Sequence, residues 1–225
     1  MFPLYDQNST RTNPYFTYGL IGINVLVFLH EIHLSNEQLE QFIDAYAVVP
    51  KHLTTNFATA WITLFTSQFL HGGWLHLMSN MLYLWVFGKS IEDRLGHFKY
   101  LIFYLSCGAL AALCQYYFMG IYSSIPSLGA SGAIAGILGD YIIWFPQARI
   151  KSLLFLGFFI TMINIPALYL IGLFFVENLL SGFASLNATA KMTGEAGGIA
   201  YWAHIGGFIF GMVLAPLLNS LNWDE

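Results

Sequence analysis

The sequence predicts an all-α membrane protein, a bundle of six transmembrane helices with its N-terminus and C-terminus both cytoplasmic. Three observations carry that prediction. Only 9% of the 225 residues are Asp, Glu, Lys or Arg, against about 25% in an ordinary soluble domain. Hydrophobic residues make up 57% and aromatics 17%, with a mean hydropathy of +0.62. A soluble globule of this size cannot hide that much apolar surface beneath so few charges. The apolar residues also fall into six runs, and at about 20 residues per span six spans occupy roughly 120 residues. That leaves short loops and no separate soluble domain. A formal net charge of −4 without a Lys/Arg cluster excludes a basic nucleic-acid binder, and the composition excludes a disordered chain.

Residues 1–17 are polar, carry a single Arg and lack the basic n-region of a signal peptide, so they read as a cytoplasmic tail retained in the mature protein. The membrane domain follows over residues 18–219, and 220–225 form a C-terminal tail. The first span covers about 18–33, the second 74–88 and the third 98–118. The fourth covers 131–145, where Pro146 ends it, the fifth 166–183 and the sixth 201–218. Residues 57–70 contain Thr, Ser and Gln and lead into a Gly pair. They read as an extension of the second span or as an interfacial helix. Residues 150–165, broken by Asn164 and ended by Pro166, read as a segment lying along the membrane face. If they crossed it, the chain would have seven spans and its C-terminus would change side. The loop 35–56, with Glu37, Glu40 and Asp44, is expected to hold short helices of its own. The loop 184–200, with Gly194, Gly197 and Gly198, reads as flexible. With the N-terminus inside, Arg11, Lys89, Arg94, Lys99, Arg149 and Lys151 lie on the inner side and Lys51 and Lys191 outside. This is the asymmetry of the positive-inside rule, and with the short tails it suits a bacterial plasma (inner) membrane. Cys107 and Cys114, seven apart in one apolar run, are separated by about 10 Å of helix rise, too far for a disulfide within that helix. They read as small packing residues.

Two spans carry small residues at helix-packing spacing: Gly132-x-x-x-Gly136 in the fourth and Gly207-x-x-x-Gly211 in the sixth. Lipid gives helices no hydrophobic reason to associate, so close backbone approach must do it. Packing these two faces brings two polar residues together. Ser131, in Gly129-Ala130-Ser131-Gly132-Ala133, opens the fourth span. About 15 residues of helix rise about 23 Å against a hydrocarbon core of about 30 Å. Ser131 therefore sits below the outer surface at a helix N-terminus, a place suited to a developing oxyanion. Alone, such a serine is more simply a helix cap. His204 lies near the outer end of the sixth span, and a membrane-buried His is a functional candidate by default. A serine needs an adjacent base to be a useful nucleophile near neutral pH, and His204 supplies one.

A third, carboxylate member is not evident. Asp140 lies about 13 Å along the helix from Ser131 and on the opposite face, and Glu177 in the fifth span has no recognisable motif. A Ser–His dyad is the economical reading. In His71-Gly72-Gly73-Trp74-Leu75-His76-Leu77-Met78-Ser79-Asn80, His76 and Asn80 are four apart and share one helix face. Both donate hydrogen bonds of the kind that stabilise oxyanions in acyl transfer. A zinc site from His71, His76 and His204 is disfavoured, because five-residue spacing puts the first two on different faces and no Glu accompanies them. No metal and no cofactor are expected.

Taken together these residues resemble the rhomboid family of intramembrane serine proteases over most of the chain, from about Val49 to Leu218. The matching strings are His71-Gly72-Gly73-x-x-His76-x-x-x-Asn80, Phe87-Gly88, Glu92-Asp93-Arg94-Leu95-Gly96, Gly129-Ala130-Ser131-Gly132-Ala133, Ile165-Pro166-Ala167 and Ala203-His204-Ile205-Gly206-Gly207-x-x-x-Gly211. The resemblance implies a six-helix bundle whose dyad is reached by water from the outer side. By motif position it implies Ser131 as nucleophile and His204 as general base and then acid. His76, Asn80 and the Ser131 N–H would form the oxyanion hole. Glu92 and Arg94 would tie down the inner loop, and the outer ends of the second and fifth spans would part to admit substrate. Two features depart from the family. The Trp-Arg pair that some members carry in the first outer loop is absent, and the aromatic that some place four residues after the Ser, to stack on the His, is Ala135 here.

The expected activity is therefore intramembrane serine endopeptidase, acting on transmembrane protein substrates within the lipid bilayer. A non-catalytic rhomboid-like protein that binds and escorts transmembrane clients is the alternative. A transporter with Asp140 and Glu177 in an ion path is a third reading. Substrate identity, pathway and oligomeric state are not readable from the sequence.

Overall fold

The computed structural model describes residues 2–156, 159–189 and 200–220. Each segment expected as a span is helical. α1 is Tyr15–Glu31, and three short helices follow it, α2 (Asn36–Tyr46), α3 (Pro50–Thr55) and α4 (Phe57–Ala60). α5 (Thr63–Thr66) runs into a 3-10 turn at Ser67–Phe69. α6 (Trp74–Tyr83) passes through a π-helical turn, Leu84–Gly88, into α7 (Lys89–Leu95) without a break. α8 is His97–Met119, α9 Ser131–Trp144, α10 Ala167–Thr189 and α11 Tyr201–Ser220.

By length and composition alone, three of these suffice to cross a membrane: α8, Ala167–Leu186 within α10 and Tyr201–Leu218 within α11. α9 is a shorter apolar helix. Its 14 residues rise about 21 Å, less than a hydrocarbon core of about 30 Å. The exterior is apolar: Leu26, Leu75, Tyr169 and Leu180 are each at least 66% exposed. Glu92 and Asp140 are meanwhile wholly buried. That inversion is stable in lipid and not in water.

The all-helical expectation needs one amendment. β2 (Arg149–Leu156) and β3 (Phe159–Pro166) form an antiparallel hairpin, and β1 (Phe2–Asp6) adds to β2 to make a sheet of order β1-β2-β3. The segment expected to lie flat on the membrane face is this hairpin. Arg149 pairs with Pro166, so the chain leaves and returns at one end of the bundle. The period-two pattern was hidden because Leu153-Leu154-Phe155-Leu156 is continuously apolar, which looks the same in a buried helix. The N-terminal segment is likewise no free tail. The buried Asp6 accepts from Ser90 Oγ at 2.5 Å, and Asn8 Nδ2 donates to Tyr141 Oη at 2.8 Å. The loop 35–56 does hold its own helices, α2 and α3, with a capping box at Ser35 and Gln38. Residues 57–70 form separate short helices that do not extend α6. Gly194, Gly197, Gly198 and the tail beyond Ser220 lie outside the described residues.

At the sheet end, Glu92 does what α1 cannot do for itself. Pro14 at the cap of α1 offers no side-chain bond, and the fully buried Glu92 carboxylate accepts from Phe16 N–H at 2.9 Å, Thr17 N–H at 2.8 Å and Thr17 Oγ at 2.7 Å. His97 Nδ1 reaches it at 2.6 Å. A carboxylate on the helix N-terminus is favoured by the dipole as well as by these bonds. Glu92→Ala leaves those donors buried and unpaired and should cost about 3 kcal/mol, read as a lowered unfolding midpoint in a denaturing-detergent titration.

Candidate active site

At the opposite end, the chain leading into α9 is pinned from three sides. Val48 and Ser127 exchange backbone hydrogen bonds of 3.0 and 2.8 Å, Lys51 N–H donates to Ser123 O at 2.9 Å, and Gly129 N–H donates to Ser67 O at 2.8 Å. Gly129 is required twice over. Its φ of +120° strains any side-chain-bearing residue, and a Cβ there would stand 2.8 Å from His76 Cε1 and Nε2. The loop before Ser131 is thus held by the residues between α2 and α6.

Ser131 is the first residue of α9, and Ala130 occupies the cap without a side-chain hydrogen bond. The simpler explanation of the serine, that it caps its own helix, therefore does not apply. Among the described residues nothing hydrogen-bonds its hydroxyl. It borders a cavity of about 20 Å³ lined also by Ser67, Gln68, Gly129 and Ala203, room for about one water molecule.

Two donors converge on Gly129, two residues before Ser131. Gly72 N–H donates to His76 Nδ1 at 3.4 Å. Nδ1 is thereby the acceptor and the ring proton resides on Nε2, the atom facing Gly129. Asn80, one turn further along α6 and buried, aims Nδ2 to within 3.9 Å of the Gly129 Cβ position, and this nitrogen has no partner among the described residues. A buried amide donor left unpaired costs stability unless the site later supplies an acceptor. His71, in the turn before α6, donates its backbone N–H to Glu31 at 3.2 Å and rests its ring 5.1 Å from that of His76. Burial, and then the neighbouring His76, hold His71 down at about 4, so it is neutral at physiological pH.

His204 reaches the same region from α11. The α9–α11 contact is backbone against backbone: a Cβ on Gly207 would stand 2.1 Å from Gly132 O, and one on Gly211 2.0 Å from Gly136 O. Both expected small-residue motifs therefore meet. The Gly132 Cβ position is 3.8 Å from Ala203 Cβ, so the residue after Ser131 touches the residue before His204. His204 and His76 are close enough to interact electrostatically. No hydrogen bond joins Ser131 to His204 among the described residues; such bonds are often loose before substrate binds. His204 Nδ1 is engaged instead by Asn178 Oδ1 on α10, at 2.6 Å, and its ring lies 5.7 Å from that of Phe174.

Ser131, His204, His76 and Asn80 are therefore gathered at one end, while Asp140 and Glu177 are not part of the group. Asp140 is buried further down α9, where neither carboxylate oxygen has a hydrogen-bond partner among the described residues, and the Arg94 guanidinium stacks 3.4 Å over the Trp144 ring. Glu177 lies near Tyr83. Sequence reasoning missed Asn178. Its only signal was an amide in the middle of an apolar span, beside the more conspicuous Glu177. Cys107 and Cys114 are both free, their Cβ atoms within 2.6 Å of the Cβ positions of Gly136 and Gly206 respectively, as packing residues of α8.

The Rhomboid domain family profile matches residues 58–220. Among curated proteins the chain is 33% identical over 150 residues to Rhomboid protein 1, mitochondrial, of Saccharomyces cerevisiae, covering 64% of this chain and 41% of that protein. It is 32% identical over 207 residues to Rhomboid protease GluP of Bacillus subtilis, covering 92% and 35%. It is 28% identical over 212 residues to Presenilin-associated rhomboid-like protein, mitochondrial, of Homo sapiens, covering 92% and 49%. The chain spans less than half the length of each of these three.

Proposed function

This chain belongs to the rhomboid family, and from that premise we propose that it is an intramembrane serine endopeptidase, cleaving peptide bonds in or next to transmembrane segments of other membrane proteins. Ser131 is the nucleophile. Its Oγ attacks the scissile carbonyl carbon as its proton passes to His204 Nε2. The developing oxyanion is taken up by His76 Nε2–H, Asn80 Nδ2 and the Ser131 N–H. His204 then gives the proton to the departing amine, the C–N bond breaks, and an acyl-enzyme remains. Water, held beside Ser131, attacks that ester with His204 again as base and regenerates the serine. No metal or cofactor enters this scheme.

One observation supports the reading above the others: a serine hydroxyl without a hydrogen-bond partner among the described residues stands two residues after Gly129, on which two donors converge, the partly buried His76 and the buried, unpaired Asn80. A client-binding scaffold has no use for either. In the membrane domain of residues 18–219 the six helices would each cross once, placing the sheet end inside and Ser131 below the outer surface. The charge bias supports that orientation, and a bacterial plasma membrane suits it.

A serine-directed fluorophosphonate tests the chemistry without knowledge of the substrate. Labelling of the detergent-purified protein should vanish in Ser131→Ala and fall at least about 100-fold in rate in His204→Ala. Equal labelling of wild type and both variants would favour the escort reading.

A further inference from the structure

The position at which some family members carry an aromatic to stack on the base is Ala135 in this chain, so that neighbour of His204 is missing here. α10 supplies two side chains one helical turn apart, Phe174 and Asn178, and both face His204. The orientation of the Asn178 amide follows from its bonds. One end lies 2.8 Å from Phe174 O, a carbonyl that can only accept, so that end is the donating Nδ2. The other end, 2.6 Å from His204 Nδ1, is therefore the accepting Oδ1, and the ring proton must sit on Nδ1. Both residues are buried, Asn178 at 7% and His204 at 8% exposure, so water does not compete for these bonds. The other groups around His204 do not dictate the tautomer. Gln115 Oε1 is taken by Ala203 N–H at 3.1 Å, Cys114 lies against Gly206, and His76 presents a donor.

We propose that Asn178 is the positioning residue for His204, holding the Nδ1–H tautomer so that Nε2 carries the free lone pair that accepts the Ser131 proton. The site then works as Ser131–His204–Asn178, with a neutral amide as third member in place of the carboxylate that the sequence does not provide, and with Phe174 packing beside the ring. This rests on the endopeptidase reading for its purpose but not for its measurement. A base oriented by a third group is the general logic of activated nucleophiles.

The test is the ring ¹⁵N spectrum of histidine-labelled protein in detergent at a pH where His204 is neutral, the His204 signals being those missing in His204→Ala. The expected result is a protonated Nδ1 and an unprotonated Nε2. A wild type with the proton on Nε2 overturns the proposal, whether or not any variant folds. Asn178→Leu, of similar volume without the acceptor, should move the proton toward Nε2 and lower kcat roughly 10- to 100-fold with KM unchanged, a part of what general-base catalysis contributes. An unchanged tautomer and kcat overturn it, as does a loss of activity that tracks a lowered melting temperature while the tautomer stays put. Failure of the endopeptidase reading looks different: Ser131→Ala cleaves like wild type while the tautomer result stands.

Discussion

Ser131→Ala should lower cleavage of a single-span reporter substrate by more than about 10³-fold and leave the protein folded. The catalytic loss amounts to at least about 4 kcal/mol of transition-state stabilisation, because no other group can form the acyl intermediate and His204 then has no hydroxyl to activate. The structural loss is small for a specific reason. The helix cap is Ala130, and Ser131 makes no cap bond. Removing its oxygen breaks no hydrogen bond among the described residues. The unfolding midpoint should stay within about 0.5 kcal/mol of wild type. Cleavage products at the wild-type rate in this variant would defeat the assignment of Ser131. A variant that is inactive and also destabilised by several kcal/mol would mean that the serine had been structural.

Gly207→Ala should disrupt the protein itself. The added methyl would stand 2.1 Å from Gly132 O and 3.3 Å from Ala111 Cβ, inside van der Waals contact with backbone that belongs to another helix. α9 and α11 have no side chain to swing away there, so the helices must separate. Overpacking of a close-packed interior typically costs 1–3 kcal/mol, and this site lies at about 3 kcal/mol or beyond, since carbonyl contacts along the seam open with it. Activity should disappear along with the midpoint, because the same seam sets Gly132 against Ala203 and so Ser131 beside His204. Gly172→Ala is the control. Nothing lies within 4 Å of its Cβ position, and alanine in a helix should be neutral or stabilising by up to about 1 kcal/mol. A Gly207→Ala protein as stable as the Gly172→Ala control would mean that the α9–α11 seam is looser than described.

Much of the site was readable because its residues leave marks at fixed spacing. Gly132, Gly136, Gly207 and Gly211 declare a contact between two spans, and Ser131 and His204 stand at the same end of it. His76 and Asn80 share a helix face by simple periodicity. What stayed hidden depends on tertiary placement. Asn178 has no partner within its own span other than Phe174 O, so its bond to His204 could be seen only once α10 and α11 were laid together. The hairpin was hidden for another reason. The run Leu153-Leu154-Phe155-Leu156 in β2 shows no alternation, and Ile165-Pro166 ends a strand as readily as it starts a helix. The edge strand β1 carries Pro3, acceptable at an edge but a poor advertisement for a strand.

That edge strand has a consequence for how the molecule is made. Phe2 aligns with Leu153 and Asp6 with Ile150, so β1 must wait for a partner synthesised about 150 residues later. The helices from α1 to α9 are all made meanwhile, and the sheet can close only after α9 has been synthesised. At a translation speed of about 5–20 residues per second, that delay lasts roughly 7 to 30 seconds, during which the N-terminal strand is available to any other unpaired edge.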